Sequence, residues 1–240
     1  MFISGTVDMT QQASAKVLSL GLGGGNLNSY LHHNYPNMNI TVVEYDPQML
    51  NISKRWFNLK LDNMHRVILA DGLDFLKQTA TKGTSDNILT LGITSEMVYK
   101  ADPFDLLDKD ASYAYKAICE KYDVILLDAC GPDNAPLFIC PADAFVGINM
   151  AKNFSKLLNR NGALIVNILS SQHRYDEAAR ELLRIYKSVF KNCILKKSHS
   201  ISNLVMTCMH HPTPKDLGSK YEKFANYAKY CGTVSEPWST

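Results

Sequence analysis

Four glycines stand within five positions in the stretch Gly21-Leu22-Gly23-Gly24-Gly25, directly after the apolar run Val17-Leu18-Ser19-Leu20. A glycine-rich turn from strand to helix bares main-chain N–H groups to a ligand. Gly21 permits the sharp turn, and Gly23, Gly24 and Gly25 remove side chains so that a ligand can lie against the backbone. A tight turn with no ligand is the competing reading. Glu44 follows Gly23 by 21 residues, at the end of the next apolar run. There a carboxylate can accept hydrogen bonds from both hydroxyls of a ribose. Glycines and acid at this spacing favour a nucleoside-bearing ligand.

Asp71 closes a third apolar run, where its carboxylate can accept from the exocyclic amine of adenine, with Gly72 leaving room beside it. It can equally cap the helix that follows, with Asp74 in the first turn. Asp128 ends the run Tyr122-Asp123-Val124-Ile125-Leu126-Leu127. Ligands of open α/β sheets bind at the carboxyl edge of the strands, so Asp128 is placed to hold a substrate amine. Its other reading is a loop-start acceptor for backbone N–H groups. Asp133 is a weaker candidate. A nicotinamide-dependent dehydrogenase would want a third small residue where this chain has Asn26, which disfavours that chemistry. No G-x-x-x-x-G-K-[ST] occurs, which excludes a P-loop enzyme.

Bringing these residues to one edge takes a sheet. Short apolar runs alternate with amphipathic helices, the pattern of a doubly wound α/β fold. The expected strands are Lys16 to Leu20, Ile40 to Glu44, Arg66 to Ala70, Asp123 to Asp128, Ala163 to Leu169, Cys193 to Lys197 and Asn203 to Met209. A helix around Leu27 to His33 follows the glycines. A second opens on Asp46 as N-cap and Pro47, with Met49, Ile52 and Trp56 on the face expected to pack. Ala178, Leu182, Ile185 and Val189 stripe a third, and Asn161-Gly162 supplies a turn into the fifth strand. Ser198 to Ser202 is too short for a parallel crossover, so the last two strands pair antiparallel. The expected fold is therefore a mostly parallel seven-stranded sheet with an antiparallel last strand, in one domain spanning 1–240. Residues 79–121 read as an insertion or lid with a helix near Ser112 to Glu120. Residues 214–230 read as a C-terminal helix, with Leu217, Tyr221, Phe224 and Ala228 on one face, capping an edge of the sheet.

The 240 residues are 46% hydrophobic and 20% charged, with a net charge of +2. That composition builds a core and leaves no basic block for nucleic acid. No apolar run reaches the roughly 18 residues of a membrane span, and the opening Met1-Phe2-Ile3-Ser4 lacks a basic flank. The expectation is a soluble cytoplasmic protein with neither nucleic-acid nor membrane partner. Six cysteines (Cys119, Cys130, Cys140, Cys193, Cys208 and Cys231) show no C-x-x-C pair. Neither disulfides nor a structural metal is expected. Sequons at Asn39, Asn51 and Asn153 read as chance matches.

Taken together, GLGGGNL (21–27), VVEYDPQMLNISKRWF (42–57), ILADGLDFL (68–76) and YDVILLDA (122–129) resemble the spermidine-synthase-like branch of the class I, S-adenosylmethionine-dependent methyltransferases. CPADAF (140–145) and NLVMTC (203–208) are similar to members of that branch that methylate a lysine and the N-terminus of translation elongation factor 1-alpha. The resemblance implies a Rossmann-like fold, S-adenosyl-L-methionine as cofactor and a protein amine as substrate. It implies that Gly21, Gly23 and Gly25 line the methionine part of the cofactor, that Glu44 binds its ribose, and that Asp71 with Gly72 binds its adenine. Asp128, the catalytic candidate, would face the acceptor amine beside the sulfonium. Polyamine aminopropyltransferases are similar too, but they carry an acid in the turn, GGGDG, where this chain has GGGNL. They also have an N-terminal β-domain, whereas the first strand here begins by Lys16. Aminopropyl transfer is the second reading, and a non-catalytic binding module on the same fold is the third.

Overall fold

The computed structural model describes residues 1–80, 98–99, 120–171, 174–197 and 203–230. Along the chain run β1 (Lys16–Leu20), α1 (Asn26–Asn34), β2 (Asn39–Glu44), α2 (Pro47–Trp56), β3 (His65–Leu69), α3 (Gly72–Ala80), β4 (Val98–Tyr99) and β5 (Tyr122–Leu127). There follow β6 (Phe138–Cys140), a 3₁₀ turn at Asp143–Phe145, α4 (Ile148–Leu157), β7 (Leu158–Ser170), α5 (Tyr175–Lys187), β8 (Asn192–Lys197), β9 (Asn203–Met209) and α6 (Leu217–Tyr230).

The strands form one sheet in the order β4-β3-β2-β1-β5-β7-β9-β8, with β6 paired to the end of β7. β3, β2, β1, β5 and β7 are mutually parallel. β9 lies antiparallel between β7 and β8, as the short connection requires. All seven expected strands are present, and two short antiparallel strands, β4 and β6, join them. β7 begins five residues earlier than expected, at Leu158, so Asn161-Gly162 falls inside it.

Both faces of the central strands are buried, which is why their sequences are apolar throughout. Val17, Val124 and Leu126 pack into a layer with Leu31 of α1 and Leu50 of α2. Leu18, Leu20, Ile125 and Leu127 point the other way, into a layer with Phe75 of α3, Phe154 of α4 and Leu182 of α5. The period of two in the strands thus feeds two helical layers.

α2 starts as its sequence dictates, with the Asp46 carboxylate accepting from Gln48 N–H at 2.8 Å and Pro47 in the first turn. Its packed face is not Met49, Ile52 and Trp56. Leu50 and Ser53 are buried, whereas Ile52 and Trp56 are exposed. The expected stripe on α5 holds, with Ala178 and Leu182 buried and Ile185 and Val189 partly buried against the same core, joined by Ala179 and Tyr186. In α6, the Phe224 ring packs at a tilt on Phe2 with centroids 5.5 Å apart, and Phe2 likewise on Tyr35 at 5.1 Å. This packs Phe224 of α6 against the α1–α2 layer. The helix expected near Ser112 to Glu120, and the insertion 79–121 apart from its described ends and β4, lie outside the described residues.

The cysteine expectation is corrected. Cys130–Cys140 and Cys193–Cys208 are disulfides, with Cα separations of 4.4 and 4.1 Å. Cys193 and Cys208 are direct cross-strand partners of β8 and β9, and β6 carries Cys140 back beside Cys130. Chain topology, not local spacing, makes both pairs.

Candidate active site

Main-chain hydrogen bonds draw the carboxyl ends of four strands together. Gly21 N–H donates to Val43 C=O at 2.9 Å, Asp128 N–H to Leu20 C=O at 3.0 Å, and Ala70 N–H to Glu44 C=O at 3.0 Å. The glycine turn, Glu44, Asp71 and Asp128 therefore share one edge.

Within the turn the glycines do different work. Gly21 has φ +95°, and a Cβ there would stand 2.6 Å from the Asp128 carbonyl oxygen, so the turn and the Asp128 loop can touch only through a glycine. Gly23 has φ +53°, and its Cβ would meet nothing within 4 Å among the described residues. Open space lies beside Gly23 among those residues. A Cβ on Gly25 would instead meet Leu59 at 2.9 Å, and one on Gly24 the Phe57 ring at 3.1 Å. These two are packed against side chains.

Glu44 ties the turn to the next loop. Its Oε2 accepts from Leu22 N–H at 2.8 Å and its Oε1 from Asp46 N–H at 2.9 Å. Each oxygen keeps a lone pair, so the carboxylate can still receive two hydroxyls. Ser53, buried on α2, donates to Gly23 C=O at 2.7 Å and clamps the turn from below. Asp71 takes the capping role: its Oδ1 accepts from Leu73 N–H at 2.7 Å and Asp74 N–H at 3.3 Å. Oδ2 is in none of the described hydrogen bonds and can still meet an amine. Gly72 faces inward, where a Cβ would lie 3.4 Å from the Phe145 ring.

Asp128 accepts from Asn167 Nδ2 at 2.7 Å, and Asn167 Oδ1 accepts from Asn203 Nδ2 at 3.0 Å. Surrounding protein displaces water from the Asp128 carboxyl and pushes its pKa above the ordinary value, against the Asn167 hydrogen bond, which lowers it. The residue itself keeps solvent exposure, so it can meet a substrate. Cys130 and Cys140 bring their sulfurs within 4.8 Å of this carboxylate, but sulfurs joined in a disulfide offer no thiolate to a metal. At the end of β7, Ser170 Oγ donates to Leu137 C=O, and the next residue, Ser171, donates through Oγ to Pro136 C=O. Asp133 is exposed on the same loop.

Sequence reasoning missed Ser53, Asn167 and Asn203. A single polar residue inside Leu164-Ile165-Val166-Asn167-Ile168-Leu169 was the available signal for Asn167, because an amide in a doubly covered strand costs free energy unless bonded. Ser53 and Asn203 carry no comparable mark.

No family model matches the chain. The eEF1A lysine and N-terminal methyltransferase of Xenopus laevis is 28% identical over 197 residues, 82% of this chain and 23% of that protein. The chain spans about a quarter of the length of such relatives. Among solved structures, human methyltransferase-like protein 13 in complex with SAH superposes with a TM-score of 0.71 at 22% identity, covering 99% of this chain and 90% of that one. Spermidine synthase from Thermotoga maritima superposes at 0.56 with 14% identity, covering 98% and 70%. The chain is similar in sequence to the eEF1A lysine and N-terminal methyltransferases, and its fold is the Rossmann-like fold of the class I methyltransferases.

Proposed function

We propose that this chain is an S-adenosylmethionine-dependent N-methyltransferase acting on a protein amine, the N-terminus or a lysine of translation elongation factor 1-alpha. One observation carries the reading: open space beside Gly23 lies next to a Glu44 carboxylate with acceptor capacity to spare, and the Gly21 contact sets Asp128 across from both. The residues present fit the cofactor. A cradle that a side chain at Gly23 would fill admits an elongated ligand, Glu44 suits a ribose, and Asp71 Oδ2 suits an exocyclic amine.

S-adenosylmethionine, when bound, supplies a sulfonium methyl group open to in-line displacement by a neutral amine. The chain's own part is to position and desolvate. Asp128 can accept from an acceptor N–H and offset the positive charge that develops on nitrogen. A strong base is not required when the acceptor is already neutral. An α-amino group of pKa about 7.7 to 8.0 has a sizeable neutral fraction near neutral pH, whereas a lysine near 10.4 has roughly one part in a thousand. This favours the N-terminus as acceptor, and such a substrate would put the reaction in the cytoplasm.

Calorimetry with S-adenosylmethionine, its decarboxylated form and NAD tests the cofactor, with binding of the first expected. Three acceptors then test the reaction: a peptide with the free N-terminus of the elongation factor, the same peptide N-acetylated, and putrescine with the decarboxylated cofactor. Methylation of the first alone is expected. Methylation of the acetylated peptide reassigns the acceptor to lysine, and aminopropylation of putrescine replaces the reading with aminopropyl transfer.

A further inference from the structure

We infer that Asn167 is a positioning residue that holds the Asp128 carboxylate toward the acceptor, with Asn203 fixing the amide of Asn167 in turn; the inference rests on the methyl-transfer reading above. The sheet register produces the arrangement. β5 and β7 are parallel with Leu127 beside Val166, so the next residues of each strand, Asp128 and Asn167, emerge side by side. On the far side of β7, Asn203 of antiparallel β9 stands opposite Leu169, which sets it diagonally from Asn167 on the same face. The two hydrogen bonds, 2.7 and 3.0 Å, then run in one line from β9 through β7 to β5.

Chemistry fixes the direction of that line. An ionised carboxylate only accepts, so Asn167 must turn its nitrogen to Asp128, and its oxygen is left for Asn203 to satisfy. Without Asn203 the amide could rotate and present an oxygen to the carboxylate. Without Asn167 the carboxylate would lose the charge-assisted bond that sets its rotamer. In-line transfer tolerates little misplacement of the amine, so a group that orients the amine must itself be held. Burial raises the pKa of Asp128 and the Asn167 bond opposes that rise, while the neighbouring Cys130 and Cys140 are disulfide-bonded and do not titrate.

The test is a double-mutant cycle on methyl transfer to the peptide acceptor. Asn167→Ala is expected to lower kcat about tenfold to a hundredfold, the scale of a lost charge-assisted hydrogen bond, with S-adenosylhomocysteine affinity held within about twofold. In an Asp128→Asn background the same substitution should add little, because the residue acts through the one already altered. Asn203→Ala should lower kcat in the same direction by a smaller factor, and it serves as the test variant if Asn167→Ala does not fold. Penalties that multiply in the double variant, or that fall on cofactor affinity, mean a structural role and overturn the inference. If the unaltered protein transfers no methyl group to any acceptor, the functional reading fails instead. The carboxyl carbon resonance of Asp128 then still decides the inference: its titration midpoint must rise in Asn167→Ala, and an unchanged midpoint overturns the pairing.

Discussion

Both oxygens of Glu44 accept main-chain N–H groups, from Leu22 and Asp46, so altering this residue acts on the turn and on the ligand together. Glu44→Gln keeps the shape but sets an amide N–H against one of the two donors. We expect a loss of about 1 kcal/mol in stability, the net contribution of one hydrogen bond whose donor, Asp46 N–H, water can reach, read as a lowered denaturant midpoint. Glu44→Ala should weaken S-adenosylmethionine binding by about 1.5 to 3 kcal/mol in calorimetry, and unchanged affinity would remove Glu44 from the site. Gly23→Ala separates the two effects, because its Cβ meets no atom of the described residues yet φ is +53°. The left-handed backbone costs about 1 kcal/mol for alanine, and a methyl group enters the space assigned to the ligand. A modest fall in melting temperature with a much larger fall in cofactor affinity is expected; equal falls would mean that the ligand lies elsewhere. The placement of Gly21, Gly23, Glu44 and Asp128 at one edge of the sheet was legible because a strand-turn-helix and a strand-end acid leave a spacing in the chain. Asn167 and Ser53 act through neighbours set by sheet register and helix facing, which no local spacing records.

At the scale of elements, strands were read more surely than helix faces. β1, β2, β5, β8 and β9 are short apolar or alternating runs whose bounds follow from composition, and all fall within a residue or so of expectation. In α2, two stripes at helical spacing compete. Met49, Ile52 and Trp56 are the more apolar, yet Leu50 and Ser53 are buried, with the Ser53 hydroxyl between the Gly23 and Met49 carbonyls. Trp56 is left outside, with the Arg55 guanidinium 5.2 Å from its ring centroid. The disulfides were illegible for a related reason, since only the β8–β9 hairpin brings Cys193 onto Cys208. That bond closes a separation of 15 residues on the outermost strand. Chain entropy gives about 3 kcal/mol for a loop of that length. Cys193→Ala with Cys208→Ala should therefore lower unfolding free energy by about this amount under oxidising conditions. If the variant unfolds at the same midpoint as the unaltered protein without reductant, the hairpin is held by its packing and not by the bond.

Across the whole molecule, the site occupies the carboxyl ends of the strands, while an unused titratable pair sits near the opposite edge. His65 opens β3, is fully buried, and packs at a tilt against His32, with ring centroids 5.2 Å apart. Burial, with His32 and Arg66 adding to it, lowers the His65 pKa from 6.5 to about 4, and the Lys60 main chain and Asp62 offset this only in part. Between those two values the unfolded chain binds a proton that the folded chain refuses. Stability should therefore fall as pH drops from about 6.5 toward 4, and this contribution should be spent below the folded pKa. Linkage over that shift amounts to about 3 kcal/mol in full and about 2 kcal/mol by pH 5. His65→Phe keeps a ring in the same layer and cannot be protonated. Chemical denaturation of both proteins at pH 7.5 and pH 5 should show the unaltered protein losing about 2 kcal/mol more than the variant across that interval. The comparison is of slopes, so a constant packing penalty in the variant cancels. Parallel losses in the two proteins would assign the acid sensitivity to other groups and leave His65 an ordinary core ring.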